Sequence, residues 1–213
     1  MNKYIISVAG LFVLCVGILA SQHIQQAPTS EHNIIKVMND TATFGGGCFW
    51  CTEAVYKELK GVHSVESGYA GGHVKNTTYK EVCSGTTGHA EVIQVVYDPT
   101  VISFFDLMEV FFYTHDPTTL NRQGNDVGTQ YRSVVFYHDQ EQKEIAEKYI
   151  KLLNEQKAYP KPVVTQVSPY MNYSAAENYH QDYYTLNASQ PYCQVMIKPK
   201  LEKFRAHFPS KLK

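Results

Sequence analysis

The chain has 213 residues, 44% of them hydrophobic, which is enough to bury the core of one domain. Nineteen lysines and arginines nearly balance 20 aspartates and glutamates, so no basic surface for nucleic acid is indicated. Charged residues make up only 18%, but 16 tyrosines and 10 phenylalanines argue against a disordered chain. Five cysteines are too few and too scattered for a fold built on disulfides.

The N-terminal segment predicts export from the cytoplasm. A short positive start precedes an uncharged run from Tyr4 to Ala20, which ends on the small residue that a signal peptidase requires. We expect residues 1–20 to be a signal peptide. A short membrane anchor is the alternative, because such a helix spans about 25 Å of a bilayer core of about 30 Å. Residues 21–40 are interpreted as a polar spacer and residues 41–213 as the folded domain. Thiol chemistry outside the cytoplasm needs a dedicated source of electrons.

Apolar periodicity predicts the elements of the core in chain order: a strand over 41–44, a helix over 48–60, strands over 62–69 and 90–97, a helix over 103–114 and a strand over 132–138. This βαββαβ order is typical of the ferredoxin-like fold, an antiparallel sheet with helices on one side. The remaining predicted elements are a helix over 139–157, a strand over 163–167, a helix over 174–186 opened by a capping box, and a helix over 199–208. The predicted fold class is α/β, more narrowly α+β: a two-layer ferredoxin-like core with extra C-terminal helices and coil.

Three glycines precede Cys48 at the start of the first predicted helix. Glycines permit a tight turn, and the first turn of a helix carries unpaired N–H groups and the positive end of the dipole. A thiol placed there is expected to have a lowered pKa, and the thiolate is the nucleophile. The large apolar side chains of Phe49 and Trp50 predict a small hydrophobic pocket beside the sulfur. A buried structural cysteine among core aromatics is the alternative.

Cys48 and Cys51 form a C-x-x-C, which is the spacing of thioredoxin-like redox pairs. A structural zinc ion needs four ligands, and the other cysteines of the domain, Cys83 and Cys193, stand alone, so no metal site is predicted. A thiol–disulfide carrier that uses Cys48 and Cys51 is therefore one candidate function.

Several blocks of sequence between about 41 and 204 resemble, in order, the peptide methionine sulfoxide reductases of type A. The matching blocks are Gly46–Trp50, Gly68–Gly72, Thr78–Gly85, Thr87–Glu91, His115–Thr118, Asn121–Ser133 and Tyr179–Gln181. The resemblance implies that Cys48 attacks the sulfur of a methionine S-sulfoxide, in proteins or as the free amino acid, and becomes a sulfenic acid. A second thiol then forms a disulfide with Cys48, and thioredoxin or a similar dithiol reduces that disulfide. No bound cofactor is expected.

The same resemblance assigns roles to further residues: Phe49 and Trp50 bind the methyl group, Glu91 donates a proton, Tyr79 and Tyr131 donate to the sulfoxide oxygen, and Asp126 belongs to the active site. Apart from the resemblance, Glu91 lies on a strand rich in valine, isoleucine and alanine, and a carboxyl in a poorly solvated place keeps its proton. A glutamate on such a strand more often faces solvent. The histidines of the matching blocks, His89, His115 and His180, are expected to form structural hydrogen bonds.

The resolving thiol is the point at which this sequence departs from the family. Members of the family often carry it in a glycine-rich C-terminal tail, and residues 190–199 lack those glycines. Cys51 lies one helical turn from Cys48 and is expected to resolve, with Cys193 as a second relay or a structural residue. Cys83 is expected to be structural. The expected partners are oxidised proteins, methionine sulfoxide and a thioredoxin-like reductant, and the protein is expected to be a monomer.

Overall fold

The computed structural model describes residues 39–213. The predicted signal peptide and all but the last two residues of the predicted spacer lie outside this range and stay predictions. Within the described range, none of the helices has both the length and the apolar character that crossing a bilayer requires.

In chain order the elements are β1 (Asp40–Gly46), α1 (Phe49–Tyr56), β2 (Val62–Ala70), α2 (Tyr79–Cys83), β3 (Ala90–Tyr97), α3 (Phe104–Thr114), β4 (Arg122–Gln123), β5 (Asp126–Val127), β6 (Ser133–Tyr137), α4 (Gln140–Glu155), β7 (Gln166–Pro169), β8 (Ser174–Ala175), α5 (Tyr183–Leu186) and α6 (Lys198–His207). Short 3₁₀ turns lie at Thr129–Tyr131, Asn178–His180 and Pro209–Lys211, and a π-helical turn, Cys193–Ile197, leads into α6.

Six strands form one mixed sheet in the order β7-β6-β1-β3-β2-β8. Strand β1 pairs antiparallel with β3 and β6, β2 pairs antiparallel with β3 and β8, and β7 runs parallel to β6. The four strands of the predicted βαββαβ unit therefore lie side by side, each antiparallel to its neighbours, as a ferredoxin-like core requires. The predicted fold class is confirmed.

Alternate residues of the central strands pack on opposite faces of the sheet. On β3, Ile93 and Val95 belong to the main core with α1 and α3, whereas Val92 belongs to a smaller cluster that Tyr170 and Tyr173 cover. The helices thus cover one face, and the chain after β7 covers part of the other.

Local capping and burial explain the two helices of the main core. Ser103 accepts a hydrogen bond from the amide of Asp106 at 3.1 Å, and the carboxylate of Asp106 accepts one from the amide of Ser103, which closes a capping box before α3. Helix α1 is buried on almost every side, since only Trp50 of its eight residues is partly exposed. The end of α1 that begins after Cys48 therefore lies in poorly solvated surroundings.

The chain after β7 differs from the prediction. Ser174 and Ala175 form the edge strand β8, and the helix predicted over 174–186 is wrong except for α5. The carboxylate of Glu177, predicted to cap that helix, accepts hydrogen bonds from the hydroxyl of Tyr69 and the amide of Tyr79, both at 2.9 Å. Long-range partners have outcompeted a local capping pattern, and they fix this segment to β2 and to the start of α2. A capping box does open the unpredicted helix α2, at Thr78.

Candidate active site

A glycine turn joins β1 to α1 and sets the position of Cys48. Gly47 has a φ of +89°, which glycine adopts without steric cost. A Cβ at Gly47 would lie 2.5 Å from Cγ of Gln123, so a larger residue does not fit. The helix was predicted to begin at Cys48. In the structure α1 begins one residue later, at Phe49, and Cys48 immediately precedes it. Its carbonyl accepts the amide of Cys51 at 3.1 Å, so both cysteines belong to the same end of the helix.

The thiols of Cys48 and Cys51 are buried and interact with each other, with 9% and 5% of the residues exposed. The hydrogen bond between them lowers the pKa of Cys51 to about 7. The same hydrogen bond, together with burial, raises the pKa of Cys48. The predicted lowering of the Cys48 pKa is therefore wrong for the reduced pair. Of the two thiols, Cys51 is therefore the one whose thiolate the surroundings favour.

Glu91, on β3, is 2% exposed, and its Oε2 accepts a hydrogen bond from the amide of Phe49 at 3.1 Å. This amide is one of the unpaired donors at the start of α1, so the helix terminus that was expected to act on Cys48 holds Glu91 instead. Burial raises the pKa of Glu91 to about 8, although the bond from Phe49 opposes the shift. At neutral pH the carboxyl therefore carries a proton, as predicted from its strand.

Tyr79 and Tyr131 are both half-buried. Burial raises the pKa of each phenol, and the negative charge that Glu91 carries when ionised raises both further. Cys48 and Asp126 act on Tyr131 in the same way. Both phenols therefore stay protonated and are available as hydrogen-bond donors.

Two aromatic side chains of α1 form an apolar wall beside Cys48. Phe49 is 1% exposed, and its ring centroid lies 5.0 Å from that of His180. Trp50 stacks on Tyr183 with ring centroids 3.6 Å apart, and its indole N–H donates to Nδ1 of His180 at 3.2 Å. The indole is thus fixed on one face and at its polar edge, which suits a wall that positions a small apolar group.

Asp126 lies at the cavity of the thiol pair, together with a tyrosine that the sequence analysis did not predict as a site residue. The hydroxyl of Tyr192 donates to Oδ2 of Asp126 at 3.3 Å and lies 4.0 Å from the sulfur of Cys51. Cys48, Cys51, Asp126 and Tyr192 line a cavity of about 110 Å³. Tyr192 precedes Cys193 in the chain, but one tyrosine among 16 gave no signal of its role.

The remaining cysteines differ in exposure. Cys193 is fully buried in the main core, close enough to Cys51 for its negative charge to raise the Cys193 pKa, although burial is the larger cause. Cys83 was expected to be structural, but it is exposed on α2 and is not part of the buried core. All four are free thiols.

The three histidines predicted to form structural hydrogen bonds are confirmed in that role. His115 bonds through its two ring nitrogens to the carbonyl of Phe111 and the hydroxyl of Ser133, and His89 bonds to the carbonyl of Val74. Within residues 39–213, no group of three or more histidine, cysteine, aspartate or glutamate side chains is arranged to hold a metal ion.

The predicted site residues thus lie in one neighbourhood. The charge of Glu91 acts on Cys48, Tyr79 and Tyr131. Asp126 lines the cavity of the thiol pair, and Phe49 and Trp50 follow Cys48 directly in the chain. A pair of thiols can supply two electrons, and a buried protonated carboxyl can supply a proton. The fold and the site together define a thiol-dependent oxidoreductase.

Comparison with known proteins identifies the family. A sequence model described as peptide methionine sulfoxide reductase matches residues 40–212. The chain is 55% identical over 174 residues to the peptide methionine sulfoxide reductase MsrA of Saccharolobus solfataricus, covering 82% of this chain and 97% of that protein. It is 57% identical over 175 residues to the MsrA of Haloquadratum walsbyi, covering 82% and 99%.

Two solved structures agree with this assignment. Reduced Mxr1 of Saccharomyces cerevisiae matches with a TM-score of 0.69 at 39% identity, covering 73% of this chain and 89% of that one. Methionine sulfoxide reductase A of Corynebacterium diphtheriae matches with a TM-score of 0.63 at 37% identity, covering 70% and 76%. The chain belongs to the peptide methionine sulfoxide reductase family, and it is an enzyme of the MsrA type, a peptide-methionine (S)-S-oxide reductase.

Proposed function

We propose that Cys48 reduces methionine S-sulfoxide, in proteins and as the free amino acid, with Glu91 as the proton donor. The observation that carries this proposal is the buried carboxyl of Glu91, which accepts the amide of Phe49, the residue that follows Cys48. A sulfoxide has a polar oxygen and an apolar methyl group. The oxygen meets Glu91, Tyr79 and Tyr131, and the methyl group meets the wall of Phe49 and Trp50.

In the reductive step, Cys48 must carry the negative charge of the thiol pair. Its proton passes along the hydrogen bond to the sulfur of Cys51, and the Cys48 thiolate attacks the sulfoxide sulfur. Glu91 gives its proton to the sulfoxide oxygen as the S–O bond weakens, and the hydroxyl passes to the sulfur of Cys48. Methionine leaves, and Cys48 is oxidised by two electrons to the sulfenic acid.

In the resolving step, Cys51 gives up the proton that it took from Cys48, and its thiolate attacks the sulfur of the Cys48 sulfenic acid. An S–S bond forms, the S–O bond breaks, and the released hydroxide takes that proton and leaves as water. The placement of both cysteines at the start of α1, on the lining of one cavity, supports Cys51 in this role. Cys193 is buried in the core, where the charge of Cys51 reaches it, and is either a second relay or a structural residue.

Recycling requires an external dithiol, for which thioredoxin or a protein of similar chemistry is the proposed donor. Its first thiolate attacks the Cys48–Cys51 disulfide, and its second thiol displaces the mixed disulfide, so that both electrons pass to the enzyme.

We also propose that the protein works outside the cytoplasm on oxidised proteins there. N-terminal sequencing of the protein from the exported, membrane and cytoplasmic fractions of its natural cells tests this. Removal of residues 1–20 supports export, and a protein that retains Met1 in the cytoplasmic fraction contradicts it.

One experiment tests the activity and the resolving cysteine together. The reduced protein is mixed with one equivalent of a methionine S-sulfoxide peptide, and the resulting disulfide is mapped by mass spectrometry. We expect one methionine per enzyme and a Cys48–Cys51 disulfide. Cys48→Ser abolishes methionine release.

The opposite outcomes are equally clear. A Cys48–Cys193 disulfide contradicts the role of Cys51 but keeps the activity. Turnover in Cys48→Ser contradicts the proposal as a whole. Reduction of insulin disulfides without any methionine release would favour the thiol–disulfide carrier.

A further inference from the structure

A lysine of α6 lies at the thiol pair, and the proposed mechanism does not use it. Lys200 lines the cavity of about 110 Å³ that Cys48 and Cys51 also line. It is half-buried, and within residues 39–213 no carboxylate forms an ion pair with its ammonium group. Asp126 is the one acidic side chain of the cavity lining, and its carboxylate accepts the hydroxyl of Tyr192. The positive charge of Lys200 therefore acts without a carboxylate partner, on Cys51 and also on His115.

The charges around Cys51 act in opposite directions. The positive charge of Lys200 lowers the pKa of Cys51, after the larger contribution of the hydrogen bond from Cys48, whereas the negative charge of Asp126 raises it. Burial also raises it. A cation in a poorly solvated cavity acts on a nearby charge more strongly than it would in water.

We propose that Lys200 is a positioning residue that stabilises Cys51 as a thiolate in two steps of the catalytic cycle. The inference rests on the proposed function, in which Cys51 resolves the sulfenic acid. In the resolving step, Lys200 raises the fraction of Cys51 present as the attacking thiolate. In recycling, the thiolate of the external dithiol attacks the sulfur of Cys48, the S–S bond breaks, and Cys51 leaves as a thiolate beside the ammonium group.

In recycling, the position of Lys200 determines which sulfur of the disulfide the external dithiol attacks. Whichever sulfur leaves as the more stable thiolate is the better leaving group, so the dithiol is directed to the other sulfur. With Lys200 beside Cys51, attack on Cys48 is favoured, and the mixed disulfide forms on the same sulfur that will react with the next sulfoxide. Cys51 is then free to re-form the disulfide until the second thiol of the donor completes the exchange.

A neighbouring lysine provides a matched control. Lys203 lies on the same helix and is exposed. It lines a wider cleft of about 750 Å³ that Lys200 also lines, but it does not line the cavity of the thiol pair. Replacing Lys203 removes the same charge from the same helix without removing a group from the cavity.

The test is a pH titration of the thiolate in the full chain. The ultraviolet absorbance of the thiolate is measured in the reduced protein and in its disulfide form, and the difference reports the pair alone. We expect Lys200→Met to raise the midpoint by on the order of one pH unit, the lower end of what a nearby opposite charge produces. Below that midpoint, disulfide formation after one equivalent of sulfoxide slows by up to about tenfold. Lys200→Arg keeps the wild-type midpoint, and Lys203→Met leaves it in place.

Two results overturn the inference: an unchanged midpoint in Lys200→Met, or an equal shift in Lys203→Met, which would assign the effect to the general charge of the helix. If Lys200→Met does not fold, Lys200→Gln gives the same reading, and the outcomes keep their meaning. Failure of the proposed function is distinguishable, because the wild-type protein would then release no methionine at all. If the wild-type protein releases methionine but Lys200→Met keeps the wild-type midpoint of the thiolate titration, only the role of Lys200 is contradicted.

Discussion

Replacement of Glu91 by glutamine separates the catalytic role of this residue from its effect on stability. Burial raises the pKa of Glu91 from the usual 4.5 to about 8, so the folded protein holds a proton that the unfolded chain loses between those values. Because the folded state binds the extra proton, the wild-type protein is most stable below about pH 4.5 with respect to this group, and it loses that stability as the pH rises to about 8. The difference of 3.5 between the two values corresponds to on the order of 5 kcal/mol at and above pH 8, and to on the order of 3 kcal/mol at pH 7.

Glutamine has no proton to lose, and its amide oxygen still accepts the hydrogen bond from Phe49. The free energy of unfolding of Glu91→Gln, relative to that of the wild type, should therefore increase between pH 4.5 and pH 8 by on the order of 3–5 kcal/mol. The same variant lacks the proton donor, so methionine release in a single turnover should slow by about 10²–10⁴. Urea unfolding at several pH values and rapid-quench measurement of methionine give the two numbers. Glu147→Gln, on the exposed surface of α4, is the control and should change neither.

The wild-type rate of methionine release should also fall as the pH rises above about 8, and this fall should be absent from the residual activity of Glu91→Gln. A variant that releases methionine as fast as the wild type would refute the role of Glu91 as the acid. An unfolding free energy whose pH dependence matches that of the wild type would refute the raised pKa.

Three further predictions concern the turn, the aromatic wall and the core. Gly47→Ala should destabilise the fold by more than about 1 kcal/mol and lower activity, because a Cβ there collides with Gln123 at a positive φ; thermal unfolding and turnover measure both. His180→Phe should leave the indole N–H of Trp50 without its acceptor, at a cost of about 1–3 kcal/mol, and should raise KM for a sulfoxide peptide more than it lowers kcat. Phe44→Ala should cost about 3–5 kcal/mol in urea unfolding, since this fully buried ring packs against three other aromatic rings.

The core of the fold was predictable because its strands and helices carry local signals, such as apolar patterns and helix caps, in their own residues. The alternation in β3 and the cap at Ser103 placed these elements within a residue or so of their observed ends. The segment after β7 was not predictable in the same way. Ser174 and Glu177 match a local capping pattern, but the carboxylate of Glu177 instead accepts hydrogen bonds from Tyr69 and Tyr79, which are distant in the chain.

The site was found from sequence in part by local chemistry and in part by resemblance. The glycine turn before Cys48 was readable from the residues alone. For Glu91 the residues alone favoured a solvent-facing side chain, and the resemblance supplied its role. Tyr79, Tyr131 and Asp126 came only through the resemblance, because nothing local distinguishes a reacting tyrosine from a packing one.

The electrostatics of the thiol pair escaped both routes. A helix terminus predicts an anionic Cys48, but the first amide of α1 is taken by Glu91, and the hydrogen bond from Cys48 places the charge on Cys51. Tyr192 and Lys200 reach the pair from the C-terminal region, and their approach depends on how the π-helical turn and α6 pack against α1. Such long-range placement leaves no trace in a pattern of neighbouring residues.

The central claim, that Cys48 takes the oxygen of the sulfoxide, is tested most directly by trapping the oxidised sulfur. A protein carrying Cys51→Ser and Cys193→Ser has no resolving thiol near Cys48, so the sulfenic acid should persist after one equivalent of methionine S-sulfoxide. In the presence of dimedone, we predict one released methionine and one dimedone adduct per enzyme, with the adduct on Cys48. Methionine release without an adduct on Cys48, or an adduct confined to Cys83, would contradict the account.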